Sequence, residues 1–191
     1  MFAALATLLI CGTGTPIKTY VFDCETTNLR SDIGTLLVAS FGEMKPDGTL
    51  KPIETEDIKS MGSERELAAW IWGKFVDGDI FIGHNSVAFD RNFLNGVLTR
   101  LGMNRLPYRW HLDTMQIAKG KFLYQSVSLE NLADVFKVGT KDKPAKSDWR
   151  EANILDEAAI GRLRKRCESD VKITAAVFNS LKPVWHERYG R

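Results

Sequence analysis

Cysteine and histidine are both scarce in this chain of 191 residues, with three of each. Cys11, Cys24 and Cys167 form no C-x-x-C pair and no zinc-ligand spacing, which argues against a disulfide-stapled scaffold or a zinc ribbon. Reduced, buried thiols in a cytoplasmic protein are the expected reading. Charge of one sign is also lacking: the formal net charge of +2 is too small to argue for nucleic acid, and only a local basic patch could do so. Long hydrophobic runs are missing as well. Residues 2–11 (F-A-A-L-A-T-L-L-I-C) are apolar but fall short of the roughly 20 residues that cross a bilayer. No Lys or Arg precedes them, as a secretory signal requires, and Ile10 is bulky for a lipoprotein cleavage site before Cys11. The G-T-G-T-P breaker follows, so residues 1–16 read as an N-terminal apolar extension (a genuine appendage, an extra helix or an upstream start) with no part in the chemistry. No membrane association is expected. There is no internal repeat and no low-complexity tract.

What is present is one domain over 17–191, with enough apolar residues (44% of the chain) for a sizeable core. Its most informative segment is 20–27, Y-V-F-D-C-E-T-T. Tyr20, Val21 and Phe22 are β-formers, so the segment reads as a buried strand. Side chains alternate along a strand, which places Asp23 and Glu25 on one face. Two carboxylates at the end of an apolar strand repel each other and are costly to bury, and a cation removes that cost.

The remaining pattern predicts strands at 17–23 and 35–42, with a short third strand near 50–53 after the D-G turn at 47–48. Ser63 with Glu66 forms a capping box that opens a helix carrying Leu67, Trp70, Ile71 and Phe75. A strand at 79–83, a helix at 90–101, a strand near 109–112, a helix at 128–136 and a Lys-rich loop at 137–147 follow. A last helix over 156–181 has Ile160, Leu163, Cys167, Val171, Thr174 and Phe178 at helical spacing. Three strands in hairpin order, then alternating helix and strand, predict an α/β fold: a mixed five-stranded sheet flanked by helices. That order fits a ribonuclease H-like architecture and also other α/β folds.

Two further acids sit near chain features that could bring them to the first pair. Asp90 ends G-H-N-S-V-A-F-D at 83–90 and starts a helix, where it serves equally well as an N-cap. Asp170 in R-C-E-S-D-V-K-I-T lies one position from the apolar stripe of the last helix, while Glu168 falls about 200° away and faces solvent. A surface salt bridge is the ordinary role for such an aspartate.

Taken together, D-C-E-T-T, H-N-S-V-A-F-D and C-E-S-D-V resemble the three motifs of the DEDD 3′–5′ exonuclease superfamily, which includes polymerase proofreading domains and oligoribonuclease-like enzymes. The resemblance covers about 17–182 and is carried by the combination rather than by any one motif; L-E-N-L at 129–132 and Asp113-Thr114 after a strand add to it. It implies a ribonuclease H-like exonuclease domain over 17–191. It also implies that Asp23, Glu25, Asp90 and Asp170 are catalytic and bind two divalent cations, Mg²⁺ or Mn²⁺. Asp23 would bridge the ions, Glu25 and Asp170 would complete one site, and Asp90 would act on the other. Hard oxygen ligands suit such ions. Thr26, Thr27 and Leu29 then fall where members contact the terminal nucleotide, with Asn85 and Arg166 as further nucleic-acid-binding candidates. Single-stranded 3′ ends are the implied partner, with a polymerase or another replication or repair protein as a candidate second one.

The third motif departs from the family. Members carry Tyr four residues, or His five residues, before the last Asp; here Arg166 and Lys165 hold those positions. The flanking residues resemble the tyrosine subfamily. Arginine, with a pKa above about 12, cannot act as a base at neutral pH. His84, His111 and Tyr124 are replacement candidates, although His111 beside Asp113 reads better as a structural pair. Lys137, Lys141, Lys143, Lys146 and Arg150 bind phosphates or form a solvated loop, and Trp149 stacks a base or packs. The run Arg162, Arg164, Lys165, Arg166 is an exposed helix face or a guide toward Asp170. Two functions stay open: a metal-dependent 3′–5′ exonuclease releasing 5′-mononucleotides, DNA favoured over RNA, and a nucleic-acid-binding module with impaired or lost hydrolysis.

Overall fold

A computed structural model describes residues 16–140 and 145–189. Its strands are β1 (Thr19–Thr26), β2 (Leu36–Met44), β3 (Glu54–Asp57), β4 (Ile80–Gly83) and β5 (Trp110–Asp113). Its described helices are α1 (Glu64–Asp77), α2 (Asp90–Arg100), α3 (Thr114–Lys119), α4 (Leu129–Phe136), α5 (Asp148–Asn153) and α6 (Glu157–Tyr189). The strands form one sheet in the order β3-β2-β1-β4-β5. β1 runs antiparallel to β2 and parallel to β4, and β5 is parallel to β4. This is the mixed five-stranded sheet with flanking helices that the pattern predicts. The expected extension at 1–16 lies, but for Pro16, outside the described residues. Among those residues no helix is long and apolar enough to cross a membrane.

Alternation along β1 divides the core. Tyr20, Phe22 and Cys24 face α1 and α2, in a cluster with Phe41, Leu67, Ile71, Phe75, Phe81 and Phe93. Val21 faces the other way, against Val171, Ala175 and Phe178 of α6. Aromatic rings dominate the first layer: Phe75 stacks on Phe81 at 4.0 Å and meets Phe22 edge-on at 5.4 Å. On the second layer Leu163 and Cys167 of α6 pack on Leu37 and Val38 of β2, which fixes how the long helix crosses the sheet. α1 starts as the capping box predicts, with Ser63 Oγ accepting from the Glu66 N–H at 3.2 Å.

Three expectations need correction. The third strand lies at 54–57, not 50–53. The D-G turn forms and the hairpin pairs through Lys51 N–H to Glu43 O (2.8 Å), but Pro52 has no N–H to continue it, and pairing resumes at Phe41↔Glu54. Helices α3 and α5 were not anticipated; both are six residues long, too short for an apolar period to show. α6 runs on past Pro183 instead of ending at 181.

Replacing Phe75 by alanine empties the centre of the aromatic layer and is expected to cost about 3–5 kcal/mol of stability. Urea unfolding followed by circular dichroism measures it, and a loss below about 1 kcal/mol, the size of a tolerated hydrophobic swap, would contradict this packing.

Candidate active site

The carboxyl end of β1 passes under α6. Side-chain alternation puts Asp23 and Glu25 on the α6 face, and Cys167 sits directly above, its thiol donating to the Asp23 carbonyl at 3.2 Å. One turn further along α6, Asp170 reaches the same point. Carboxylate oxygens of Asp23, Glu25 and Asp170 all lie within 4.8 Å of one another. Glu25 is 6% exposed and Asp170 2%.

Asp90 arrives from a different element. The parallel pairing of β1 with β4 ends at Val21↔Ile82, so β1 runs on past its neighbour and the first turn of α2 closes against it. There the Cys24 N–H hydrogen-bonds the Asp90 carboxylate. The loop between β4 and α2 is held by Asp113, whose Oδ1 accepts from Asn85 N–H and from Met115 N–H, both at 3.0 Å, and whose Oδ2 accepts from Val87 N–H at 3.1 Å. The tight path needs Gly83, where a Cβ would come within 2.4 Å of Ser86 Cβ, and Asn85, which takes a left-handed φ of 60°. Asp113 is thus a positioning residue for the Asp90 loop.

One cavity of about 500 Å³ collects these groups: Asp23, Glu25, Asp90 and Asp170 line it, with Thr26, Thr27, Leu29 and Arg166 among the other predicted residues. Asn85 does not line it. Of the three replacement bases only His84 does; its Nδ1 lies 2.9 Å from Thr114 Oγ1, which itself donates to the Gly83 carbonyl. His111 is instead packed against Phe75 and Phe81, and Asp113 spends its oxygens on backbone amides, so the expected His111–Asp113 pair does not form. Burial lowers the His111 pKa to about 4. Phe89 is a wall residue not named among the expected site residues; its place directly before Asp90 in H-N-S-V-A-F-D is the signal for it.

The basic run also resolves. Arg162 binds Asp148 with Nε at 2.9 Å and Nη2 at 2.7 Å, and Arg164 binds Asp57 and the Thr55 carbonyl. Both arginines are clamps, not an open substrate track. The Arg162–Asp148 clamp seats α5, and α5 delivers Trp149, whose Nε1 donates to Glu25 Oε2 at 2.8 Å. Arg166 Nε donates to Glu25 Oε1 at 2.6 Å, and its Nη2 lies 3.7 Å from Asp170 Oδ2. The guanidinium also sits 5.4 Å from the Trp149 ring centroid. Both Glu25 oxygens therefore have side-chain donors.

Electrostatics follow from burial. Desolvation pushes the Asp90 carboxyl up to about 7, with Glu25 and Asp113 adding repulsion against the help of backbone N–H groups. Burial also raises Glu25, opposed by the Arg166 charge and the Trp149 hydrogen bond. Three carboxylates, Glu25 and Asp170 buried and Asp23 half-buried, converge with excess negative charge and suit a hard divalent cation, so the donor set fits one.

No family model matches the sequence, and no curated protein matches it. The structure is similar to that of the family B DNA polymerase from the hyperthermophilic archaeon Pyrobaculum calidifontis, with a TM-score of 0.71 and 18% identity over 88% of this chain and 25% of the polymerase. The chain thus spans a quarter of that protein's length. At such identity the likeness speaks for the fold, and with the strand order it places the chain among ribonuclease H-like folds.

A pH dependence follows for the protein in EDTA. The folded chain keeps a proton on Asp90 up to about pH 7, whereas the unfolded chain releases it near pH 4, so stability from this group falls as pH rises from about 4 through 7. The melting temperature is expected to drop between pH 5 and 8, and Asp90→Asn to flatten that slope. An unchanged slope in Asp90→Asn would show that the carboxyl is not held this way.

Proposed function

We propose that this chain is a metal-dependent 3′–5′ exonuclease that hydrolyses phosphodiester bonds at single-stranded or frayed 3′ ends, DNA ahead of RNA, and releases 5′-mononucleotides. The observation that carries the reading is the convergence of Asp23, Glu25 and Asp170 from β1 and α6, with Asp90 from α2, on one cavity. Divalent cations held there would supply positive charge to the attacking and leaving oxygens of a displacement at phosphorus. The chain's own residues do the rest. Leu29, 77% exposed at the cavity edge, and Phe89 give apolar surface for a terminal base. Lys146 adds a cation for phosphate, and Thr26 and Thr27 line the floor beside the acids. The motif resemblance includes polymerase proofreading domains, and the structural likeness is to part of a DNA polymerase, which supports DNA and a replication or repair setting.

The second reading, a nucleic-acid-binding module without hydrolysis, is favoured by one observation: Arg166 stands at the tyrosine position and is bonded to Glu25. One assay separates the two. Single-stranded DNA and RNA labelled at either end are incubated with the protein in Mn²⁺, Mg²⁺ or EDTA. Shortening from the 3′ end that requires metal, and that Asp23→Ala reduces by a hundredfold or more (about 2.7 kcal/mol of barrier), is the expected result. Tight binding with no cleavage in either metal would sink the enzyme reading.

A further inference from the structure

Arg166 is placed by three independent contacts. Its position four residues before Asp170 puts both side chains on one face of α6. Its Nε is 2.6 Å from Glu25 Oε1, its Nη2 is 3.7 Å from Asp170 Oδ2, and its guanidinium carbon lies over the Trp149 ring at 5.4 Å from the centroid. The side chain is 18% exposed, against 8% for Glu25 and 3% for Asp170. Trp149 closes the arrangement by taking the other Glu25 oxygen. The positive charge nearest Glu25 and Asp170 thus belongs to the protein.

We propose that the Arg166 guanidinium is a tethered counter-cation for Glu25 and Asp170, one that a divalent cation must displace to use those two carboxylates. This rests on the reading that the four acids take divalent cations. A buried carboxylate pair is costly unless its charge is offset, and an arginine held by its bond to Glu25 and by the Trp149 ring offsets it at no translational cost. A divalent cation on Glu25 would sit beside the guanidinium that is bonded to Oε1 at 2.6 Å, and two positive charges that close repel, so the metal and Arg166 compete for the same carboxylate. Apparent metal affinity is then reduced by the fraction of molecules in which the guanidinium is in place. The metal-free fold, in turn, is stabilised by Arg166 where a neutral residue would leave the acids repelling.

Calorimetric titration of Mn²⁺ into the full chain, with melting temperatures in EDTA and in Mn²⁺, tests this on three proteins: the unaltered chain, Arg166→Gln and Arg166→Lys. Arg166→Gln is expected to bind Mn²⁺ at least about tenfold more tightly than the unaltered chain. In EDTA it should melt lower, and Mn²⁺ should raise its melting temperature by more than it raises that of the unaltered chain. Arg166→Lys, which keeps the charge, should bind Mn²⁺ as weakly as the unaltered chain. Equal Mn²⁺ affinity in the unaltered chain and Arg166→Gln would overturn the proposal. Should Arg166→Gln not fold without metal, refolding it in Mn²⁺ and stripping the ion with EDTA gives the same comparison; recovery only with Mn²⁺ supports the proposal, and no recovery in Mn²⁺ overturns it. The cleavage assay on the unaltered chain is a separate readout. Cleavage with no gain in Mn²⁺ affinity defeats this inference and leaves the exonuclease reading standing. Tighter Mn²⁺ binding with no cleavage by any of the three proteins does the reverse.

Discussion

Close approach of buried carboxylates is the constraint around which this molecule is arranged. Glu25, Asp90 and Asp170 are each at least nine-tenths buried, and Asp23 lies within reach of two of them. Such a group of acids persists in a folded chain only if its charge is offset by protons, by cations or by hydrogen-bond donors. All three devices are visible. Asp90 is pushed toward the protonated form, Arg166 stands against Glu25 and Asp170, and the N–H groups of Cys24 and Trp149 are spent on carboxylates. The surrounding elements are where they are because these compensations require it. β1 overruns β4 so that α2 can reach it, and α6 crosses close over β1 because the small Cys167 lies at the crossing.

The supporting structure is layered in the same way. Asp113 does not face the cavity, yet it gathers the amides of Asn85, Val87 and Met115, and so sets where Asp90 begins its helix. Asp148 and Arg162 play the corresponding part for Trp149. Each is a pair or network of polar groups behind a residue of the site, with Asp113 and Asp148 buried and Arg162 half exposed. Each costs desolvation and returns rigidity, which is what a site built for charge needs more than flexibility.

Legibility differed with the kind of signal. The strand bearing Asp23 and Glu25, its face alternation and the long amphipathic helix bearing Asp170 could all be read from period alone, because each is long and strongly patterned. α3 and α5 could not, being shorter than two helical turns. The third strand was displaced by Pro52, whose effect depends on which neighbour its missing N–H would have met. Arg162, Arg164 and Arg166 look alike in the sequence, and their separate fates depend on Asp148, Asp57 and Glu25, which lie 14, 107 and 141 residues away along the chain. Trp149, 124 residues from Glu25, shows the same limit. Pairing at such range is a property of the fold.

Position 166 brings these threads together. A tyrosine there would offer the site a neutral hydroxyl and leave the acids to external cations. Arginine removes that hydroxyl and at the same time adds a charge, so the two changes act on different quantities. On the exonuclease reading, loss of the hydroxyl would concern the orientation of the attacking water. Gain of the charge concerns whether Glu25 and Asp170 are available to a metal at all, and it acts even when no substrate is present. The geometry favours the second as the dominant effect. A guanidinium bonded at 2.6 Å to one carboxylate and braced by Trp149 is held in its place before any reaction begins. Lys165, one position away and therefore rotated by about 100° on the helix, could not do the same, and it lies exposed on α6.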